Sequence, residues 1–551
     1  MKSWCRTLCL LFLGLAWLPA SGETWYVRQD GGSRNSAGHK GQCDGKADTA
    51  YRGSGTNQHC AFNDVRYLWT DGTYTTNPAV NFPAWGWVGT GGDTYIIRGG
   101  PWRVGQNGPN SNDSFGLHGD PYDAGAPPPP SGTAAQHTQI LGENFASCGE
   151  GKMTQLFGGY GVSFVFNLGG AQFVDFKCLE LTRHSQCIKY GSPPLPSGCN
   201  TSFPVDDYAG NGILTKTSTH DILFQDMWIH GFVSRGIIGP IGGTVTANRV
   251  VIAINGAAGW DFDDGNGTPN VNGVINLSHV TIEWSGCNQA YPGGGVNTCY
   301  GQSNGGYGDG IGTPPKTCLT AHVDHSIFRY NVQDGYDMLH NDAGDCSMSI
   351  TDSMAYGNNG QQFKWGPNDN PMVFTNNIVV GNCFRLSAPM PGVPKSYNAN
   401  LGDYCRADDT ITFSLGNNGN TRIDHNTVVS YAPTVFDIEC GPAGCANSTV
   451  TLSNNIVLGY DNPATYPAGG KPGGPGGFYM EHPIGKVVRS NNIYYGLRGL
   501  RMQTLFSNEK IADPKFISQP VFSKEQDLDQ FNFHLSPASP AHGIGATPQE
   551  K

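Results

Sequence analysis

The phrase Thr375-Asn376-Asn377-Ile378-Val379 is the clearest indication of the fold, because closely similar phrases recur at 424–428, 453–457 and 490–494. Each phrase joins a turn to a short β-branched run, and this combination predicts short strands that follow one another at a regular period. Asn suits such a turn because it tolerates a left-handed backbone and its amide can hydrogen-bond to the coil above. We therefore predict a parallel β-helix. A leucine-rich repeat has a competing period, but its leucine signature is missing.

Comparable units occupy most of the chain. They begin near Val174, Ile222, Val245, Val274, Ala321, Met348, Val373, Arg422, Val450 and Val487. The predicted fold class is all-β, a right-handed parallel β-helix over 139–500 with disulfide-stapled loops. We expect a signal peptide at 1–22, an N-terminal strand and cap region with a Pro/Gly-rich loop at 23–138, and a closing segment at 501–551. Cys60 to Trp69 has helix-like apolar spacing, which predicts a capping helix at the open end of the core.

Composition narrows the class of protein. Of 551 residues 78 are Gly and only 14% are charged, which favours many short strands joined by tight turns over disorder. The net charge of −11 excludes a typical nucleic-acid partner, since phosphate binding needs a basic surface. Lys2 and Arg6 precede an apolar run too short to span a bilayer, and a small-residue cleavage zone follows. We expect a secreted monomer, extracellular or periplasmic, with no membrane span.

The cysteines predict disulfide bonds. Two of the sixteen lie in the predicted signal peptide, which leaves an even number, and most of these form near-neighbour couples. An exported chain with that pattern staples its loops with disulfides, and no Cys-x-x-Cys pair supports zinc. The expected couples are Cys43/Cys60, Cys187/Cys199, Cys287/Cys299, Cys383/Cys405 and Cys440/Cys445.

Several units share a second phrase with one inward-sized residue at the same register. These inward residues are Phe262, Ile311, Tyr336 and Phe363, followed further on by Phe384 and Phe436. The residues directly after them are Asp263, Gly312, Asp337, Lys364, Arg385 and Asp437. In a solenoid these residues would form one outward column, with coils about 4.8 Å apart. Asp309 and Asp334 would form a second column three positions earlier.

The two columns predict a cation site. Asp263, Asp309, Asp334 and Asp337 would surround a cavity floored by Gly312, which has no side chain to fill the gap. Carboxylates on adjacent coils repel each other unless a cation or shared protons relieve them. A cage of hard oxygen ligands suits Ca²⁺.

The same residues resemble a known family. Gln333-Asp334-Gly335-Tyr336-Asp337 resembles the Asp-Asp-Gly-x-Asp calcium motif of the family-nine pectate lyases, in the pectin lyase-like superfamily, except that Gln333 replaces the first Asp. The stretch 357–366 resembles that family's Gly-Asn-Gly-Phe-Lys-Leu-Gly segment, whose Lys is the Brønsted base. Asp309 falls where the family places another calcium ligand. The endings at 513–516 and 531–541 resemble the closing segment of secreted right-handed β-helix proteins.

The resemblance implies β-elimination on an acidic, uronate-containing polysaccharide such as pectate. Calcium would bind the substrate carboxylate and Lys364 would remove the neighbouring proton, for which its amine must be neutral. A nearby cation and Arg385 would lower the pKa of Lys364. Arg385 could also hold a carboxylate in bidentate fashion, with Asp437 orienting it.

Two other functions remain open. A glycoside hydrolase of the same fold would use Asp263 and Asp337, two coils and about 10 Å apart, as an inverting pair. A non-catalytic surface or carbohydrate-binding β-helix would use the acidic column to hold structural calcium. Taken alone, Asp309 and Asp334 in Asp-Gly phrases are ordinary turn residues, and Lys364 is an ordinary solvated surface lysine. The shared register and the family phrase around Lys364 favour the lyase.

Overall fold

The structure is a computed structural model. It describes residues 22–36, 40–70, 86–105, 124–187, 199, 206–289, 291–299, 308–343, 346–381, 409–430, 434–459, 478–480, 484–497, 505–506, 508–518 and 531–548. Within these ranges the chain winds into coils of short strands, each paired in parallel with the strands of the coils before and after it. The strands form three walls around one apolar core, which is the predicted right-handed parallel β-helix.

The first wall begins each coil. Its strands are β1 (Thr24–Gly32), β2 (Thr94–Ile97), β5 (Thr138–Gly142), β8 (Gln172–Lys177), β11 (His220–His230), β13 (Thr244–Ala253), β15 (Val274–Ser278), β20 (Thr320–Asp324), β23 (Met348–Thr351), β26 (Met372–Thr375), β29 (Asn420–Asp424), β32 (Thr449–Ser453) and β35 (Lys486–Ser490).

The second wall follows after a sharp turn, and the long strands β11 and β13 bend to join both walls. Its own strands are β3 (Trp102–Val104), β6 (Thr154–Gly158), β9 (Leu179–Arg183), β16 (Thr281–Glu283), β21 (Ile327–Arg329), β24 (Met354–Tyr356), β27 (Ile378–Val380), β30 (Thr427–Ser430), β33 (Ile456–Gly459), β36 (Ile493–Tyr495) and β37 (Lys510–Ile511).

The third wall carries the candidate site. Its strands are β4 (Ala124–Ala126), β7 (Val162–Asn167), β10 (Ala209–Leu214), β12 (Ile237–Ile238), β14 (Trp260–Asp261), β19 (Ile311–Gly312), β22 (Tyr336–Met338), β25 (Phe363–Asn368), β28 (Asp409–Leu415), β31 (Thr434–Cys440) and β34 (Phe478–Met480). Two antiparallel pairs lie outside the walls, formed by β17 (Cys287–Gln289) with β18 (Val296–Cys299) and by β38 (Phe516–Ser518) with β39 (Asn532–Leu535).

The recurring Asn phrase makes the turn between the first and second walls. Its first Asn or His has a left-handed backbone, with φ of 59° at Asn376 and 54° at His425. Its second Asn is buried and forms a ladder: the Oδ1 of Asn426 accepts from the backbone N–H of Asn377 at 2.9 Å, and the Oδ1 of Asn455 accepts from that of Asn426 at 2.9 Å. The left-handed turn and the amide ladder predicted for Asn are therefore divided between two neighbouring positions.

The predicted capping helix is wrong in extent. The segment forms a single four-residue 3-10 turn, Val65–Leu68, with Asp64 as its N-cap. Phe62 is tied into β-bridges with Val27 and Gly32, so the extended backbone before Asp64 leaves too few residues to nucleate an α-helix. Val65 and Leu68 are nevertheless buried in the main core.

Disulfide bonds staple the loops. Four of the expected cysteine couples are bonded: Cys43–Cys60, Cys187–Cys199, Cys287–Cys299 and Cys440–Cys445. Two further bonds, Cys148–Cys178 and Cys318–Cys346, join residues about one coil apart and were not expected from near-neighbour spacing. Cys383 and Cys405 lie outside the described residues, as does the predicted signal peptide up to residue 21. In the part of the chain that is described, no helix is long and apolar enough to cross a membrane.

The closing segment covers the outer face of the second wall near the end of the helix. Phe533, Ala541 and Ile544 pack on a second apolar cluster formed by strands β24, β27, β30, β33 and β36. The outer face of the third wall instead carries polar side chains around a cleft.

Candidate active site

Two columns of side chains on the third wall meet at this cleft. Strand pairing aligns the outer column: Asp261, Gly312, Asp337, Lys364, Thr412 and Asp437. Backbone bonds align the upstream column, three positions earlier on each coil, through Gly236 N to Ala258 O, Gly259 N to Asp309 O and Gly310 N to Asp334 O. The upstream column consists of Arg235, Ala258, Asp309, Asp334, Gln361 and Asp409.

The structure corrects the register expected at Asp263. Trp260 pairs with Ile311 and Asp261 with Gly312, so Asp261 stands in the outer column. Trp260 and Phe262 are both fully buried and stack at 5.3 Å. Because a shift of two residues leaves the same faces inward and outward, the hydrophobic pattern does not distinguish the two registers. Asp263 instead makes a turn, where its Oδ1 accepts from the backbone N–H groups of Gly265 and Gly267.

The register expected at Arg385 is also different. Phe363 pairs with Ile411 and Lys364 with Thr412, so Thr412 holds the place in the outer column that was predicted for Arg385. The chain resumes the third wall only after the long insertion that contains Arg385, because Ile411 supplies the next inward residue. Arg385 itself lies outside the described residues. Asp437 takes its predicted place beside Thr412.

Asp309, Asp334, Asp337 and Lys364 form what we call the acid–lysine site. One carboxylate oxygen from each Asp lies within 4.8 Å of the others. The Nζ of Lys364 donates to the Oδ2 of Asp334 at 3.0 Å and to the Oδ2 of Asp337 at 2.9 Å. The Oδ1 of Asp309 accepts from the backbone N–H of Asp334 at 3.0 Å. Three of the four predicted metal ligands therefore converge on the predicted base.

Burial raises the pKa of two of these carboxyl groups, and contact with Lys364 reverses the direction for one of them. Burial, and then the charges of Asp334 and Asp337, raise the pKa of Asp309 well above its usual value. Burial also acts on Asp337, but the ammonium of Lys364 and the backbone N–H of Leu339 outweigh it and lower its pKa. Two neighbouring acids of the cluster therefore have pKa values shifted in opposite directions.

Lys364 is held as an ammonium by its neighbours. Burial alone would lower its pKa, but the charges of Asp334, Asp337 and Asp309 outweigh burial and raise it. Only 15% of its side chain is exposed. The expectation of a solvated surface lysine is therefore wrong, because the third wall places its amine between two buried carboxylates.

The acid–lysine site opens into a cleft of about 440 Å³. Asp263 lines the cleft without joining the three converging acids. Gln333, which replaces the first Asp of the family motif, is buried beside Asp334 and also lines it. At the end of the cleft away from Lys364, Arg235 forms an ion pair with Asp261, Nε to Oδ2 at 2.5 Å. His340 is exposed and lies on the rim near Asp337, at the acid–lysine site.

The donor set suits a hard divalent cation. Three carboxylates converge beside one ammonium group, that of Lys364, which contacts two of them. A Cβ at Gly312 would lie 3.4 Å from the Oδ2 of Asp309, so the glycine keeps the space beside that oxygen open. Oxygen ligands of this type are those that Ca²⁺ takes.

Several residues of the site were missed at the sequence level. Arg235 precedes Ile238 by the same three positions that separate Asp309 from Gly312. This offset between the two columns could have identified Arg235 from the sequence. Asp409 follows the same rule relative to Thr412, and it accepts from the Nε2 of Gln361 at 3.1 Å and from the hydroxyl of Thr412. Both depended on registers that the sequence left ambiguous.

Comparisons with known proteins leave the family open: no family model and no curated protein match the chain. Among solved structures, an alginate lyase from Paenibacillus sp. str. FPU-7 is similar at 13% identity, over 73% of this chain and 93% of that chain, with a TM-score of 0.32. A rhamnogalacturonan lyase is similar at 12% identity, over 92% and 97%, with a TM-score of 0.31. A glycoside hydrolase is similar at 10% identity, over 67% and 51%, with a TM-score of 0.25. At these scores the likenesses decide neither fold nor activity, and the fold rests on the strand pairing described above.

Proposed function

We propose that the protein is a secreted polysaccharide lyase that cleaves a uronate-containing, pectate-like polymer by calcium-assisted β-elimination at the acid–lysine site. The observation that carries the proposal is the position of Lys364, whose amine contacts two of three converging acids at an open cleft. The resemblance of 333–337 and 357–366 to family-nine pectate lyases supports the same assignment. Disulfide bonds in the described part of the chain support export.

Asp309, Asp334 and Asp337 would hold the cation. When bound, Ca²⁺ offsets the negative charge that grows on the substrate carboxylate as the neighbouring proton leaves. Gln333 removes one charged ligand relative to the family motif, and Asp263 also lines the cleft, where Asp261 is already paired with Arg235. We propose these residues as the ligand set.

Lys364 would act as the base. Its Nζ takes the C5 proton of the uronate, the C–H electron pair forms the C4–C5 double bond, and the C4–O bond breaks. The departing oxygen keeps the electron pair of the C4–O bond and takes a proton from water, which leaves hydroxide. Since the three acids hold Lys364 as an ammonium, it becomes a base only when another cation neutralises them. Strict cation dependence is therefore part of the proposal.

Arg385 and Asp437 would complete the site. Asp437 lies in the outer column two coils beyond Lys364, with Thr412 between them. Arg385 lies between β27 and β28 in the sequence, and we propose that it holds a substrate carboxylate in bidentate fashion.

A glycoside hydrolase is the second candidate, and one observation favours it. The pKa of Asp309 is raised by burial and by its acidic neighbours, whereas that of Asp337 is lowered. Carboxyl groups whose environments separate their pKa values are the arrangement of an acid and its partner. Their oxygens lie within 4.8 Å, nearer to the roughly 5 Å of a retaining pair than to the wider spacing of an inverting pair.

A polysaccharide panel separates the candidates. Polygalacturonate, alginate and rhamnogalacturonan are incubated with the protein in CaCl₂ or in EDTA, and ultraviolet absorbance and reducing ends are followed together. A lyase generates absorbance from the new C4–C5 double bond, only with calcium. Reducing ends without that absorbance would assign a hydrolase, and no turnover on any polymer would refute both enzymes in favour of a binding protein. Lys364→Arg serves as the matched variant, because it keeps the charge but cannot release its proton.

A further inference from the structure

The cleft has a positively charged side chain at each end. Along the third wall it runs from Arg235, on the coil of β12, past the coils of β14, β19 and β22 to Lys364 on β25. Four steps between adjacent strands amount to about 19 Å. The guanidinium of Arg235 contacts Asp261 one coil further on, and the amine of Lys364 contacts Asp334 and Asp337 one coil back, so the two charges are about two coil steps, roughly 10 Å, apart. An extended polymer of hexopyranose sugars advances by roughly one coil spacing per residue, so about two sugar residues separate the two charges.

The floor between the two ends is made of small residues. Ala258 follows Arg235 in the upstream column, and Gly312 follows Asp261 in the outer column. Both line the cleft, and neither has a side chain that reaches across it. A sugar chain lying along the third wall therefore meets a low floor between Arg235 and the three acids of the acid–lysine site.

Between its two ends the cleft is lined by acidic side chains, which repel a polyanion. Asp261, Asp263, Asp309, Asp334 and Asp337 line it. The amine of Lys364 donates hydrogen bonds to two of these acids, and its proposed role is that of the base. Binding of an acidic polymer therefore needs a second basic side chain, away from the reacting sugar.

Arg235 is built to supply this point. Its Nε donates to the Oδ2 of Asp261 at 2.5 Å and its Nη1 to the Oγ of Ser234 at 2.9 Å. Its backbone N–H donates to the Oδ1 of Asn211, and its side chain is 14% exposed. A guanidinium held in this way loses little side-chain entropy when it binds an anion, and its planar geometry matches a carboxylate.

We propose that Arg235 binds the carboxylate of a uronate residue about two sugars away from the one that reacts at Lys364. The cleft then recognises a run of acidic sugars, and short oligomers that do not reach Arg235 bind more weakly. This inference rests on the proposed function and adds a specificity-determining residue to it.

The test measures binding against oligomer length. Polygalacturonate oligomers of two to eight residues are titrated calorimetrically, with CaCl₂, into Lys364→Ala protein, which binds without turnover, and into the same protein carrying Arg235→Gln. We expect the octamer to lose at least tenfold in affinity and the dimer less than twofold. In the otherwise native enzyme, Arg235→Gln should raise KM for the polymer by the same factor and leave kcat within twofold.

Two further variants separate binding from folding. Arg235→Gln leaves buried Asp261 without its ion-pair partner, so Arg235→Gln with Asp261→Asn removes the pair together, and Arg235→Lys keeps the charge. The matched control is Arg329→Gln, which breaks a similar pair with Glu283 (2.5 Å) on the second wall and should change neither octamer nor dimer binding. Melting midpoints are recorded for all variants.

The outcomes distinguish this inference from the proposed function. Octamer affinity that is unchanged by Arg235→Gln, or an equal loss for dimer and octamer, overturns the role of Arg235 while the lyase assignment stands. Failure of every uronate oligomer to bind the Lys364→Ala protein overturns both. Recovery of octamer affinity in Arg235→Lys to within about threefold of the parent supports the charge as the recognised feature.

Discussion

Replacing Lys364 by Ala tests whether the acid–lysine site is an ion-pair cluster that also holds a cation. The change removes the donor that contacts Asp334 and Asp337, and the side chains of those acids are 5% and 14% exposed. Removing one partner of a buried pair costs about 3–5 kcal/mol, because the remaining charge stays buried without its ionic partner. We therefore expect a clear loss of stability in EDTA.

The loss can be converted into a melting temperature. Unfolding entropy is about 2.1 cal/mol/K per residue, so a chain of 551 residues has an entropy of about 1.2 kcal/mol/K. A loss of 3–5 kcal/mol then lowers the midpoint by about 3–4 °C. Calorimetry at pH 7 in EDTA measures this shift.

Calcium should reverse the loss. In the variant the ammonium no longer competes for the carboxylates, so the cation binds more tightly than in the native protein. A ligand at a hundred times its dissociation constant stabilises the folded state by about 2.7 kcal/mol. Addition of CaCl₂ should raise the midpoint of Lys364→Ala by about 2 °C, and by more than it raises that of the native protein.

The matched control is Lys177→Ala on the first wall. Lys177 contacts Asp175 at 3.2 Å, but His137 also contacts that carboxylate at 2.8 Å, so the acid keeps a partner. The expected loss is below about 1 kcal/mol, with no calcium response of its own. If Lys364→Ala melts with the native protein in EDTA, the amine does not compensate the buried acids, and the electrostatic reasoning fails.

Other predictions concern the acids, the cation and the ladder. In EDTA at pH 7, Asp309→Asn should raise the melting midpoint, because the raised pKa of Asp309 makes the folded state lose stability as pH rises above about 3.8. Asp337→Asn should lower the midpoint, because the pKa of Asp337 is lowered in the folded state. The opposite order of the two midpoints would refute the assignment. The stabilisation contributed by Asp337, whose pKa is lowered, is present above its unfolded pKa of 3.8 and should disappear as pH falls through its folded pKa, which acid titration of the melting midpoint measures. Product absorbance on polygalacturonate should vanish in EDTA and return with excess CaCl₂, and persistence in EDTA would exclude a cation-dependent Lys364. Asn426→Ala should lower the free energy of unfolding by about 2–3 kcal/mol, because the N–H of Asn377 loses its buried acceptor. Asn491→Gly, at the left-handed position, should lower it by less than about 1 kcal/mol. Equal losses for the two variants in chemical denaturation would contradict the ladder.

The resemblance between short phrases correctly predicted most of the scaffold. The units expected at Val245, Ala321, Met348 and Val450 all fall on strands of the first wall. The same reasoning failed at the capping helix, because apolar spacing alone does not reveal that Phe62 is already committed to β-bridges. It also failed at Asp263, where two buried aromatics two residues apart allow either register.

At the candidate site, local phrases and tertiary contacts contributed different parts. The offset of three positions between Asp334 and Asp337, repeated between Asp309 and Gly312, already predicted that these residues converge. It did not predict that the amine of Lys364 is shielded, since exposure depends on the walls of the cleft. The part played by Arg235 depended on the register at Asp261, which only strand pairing determines.

By itself the sequence determined the coil, because each repeat carries its own turn residue, inward residue and laddering Asn, and such local features need no distant contact. Tertiary structure alone decided which coils stack at which register across insertions, and hence that Asp261 and Thr412 flank the acids. It also decided the charge state of Lys364, since burial and the distance to carboxylates on neighbouring coils control proton affinity. Side-chain identity is local, whereas electrostatic environment is a property of the assembled wall.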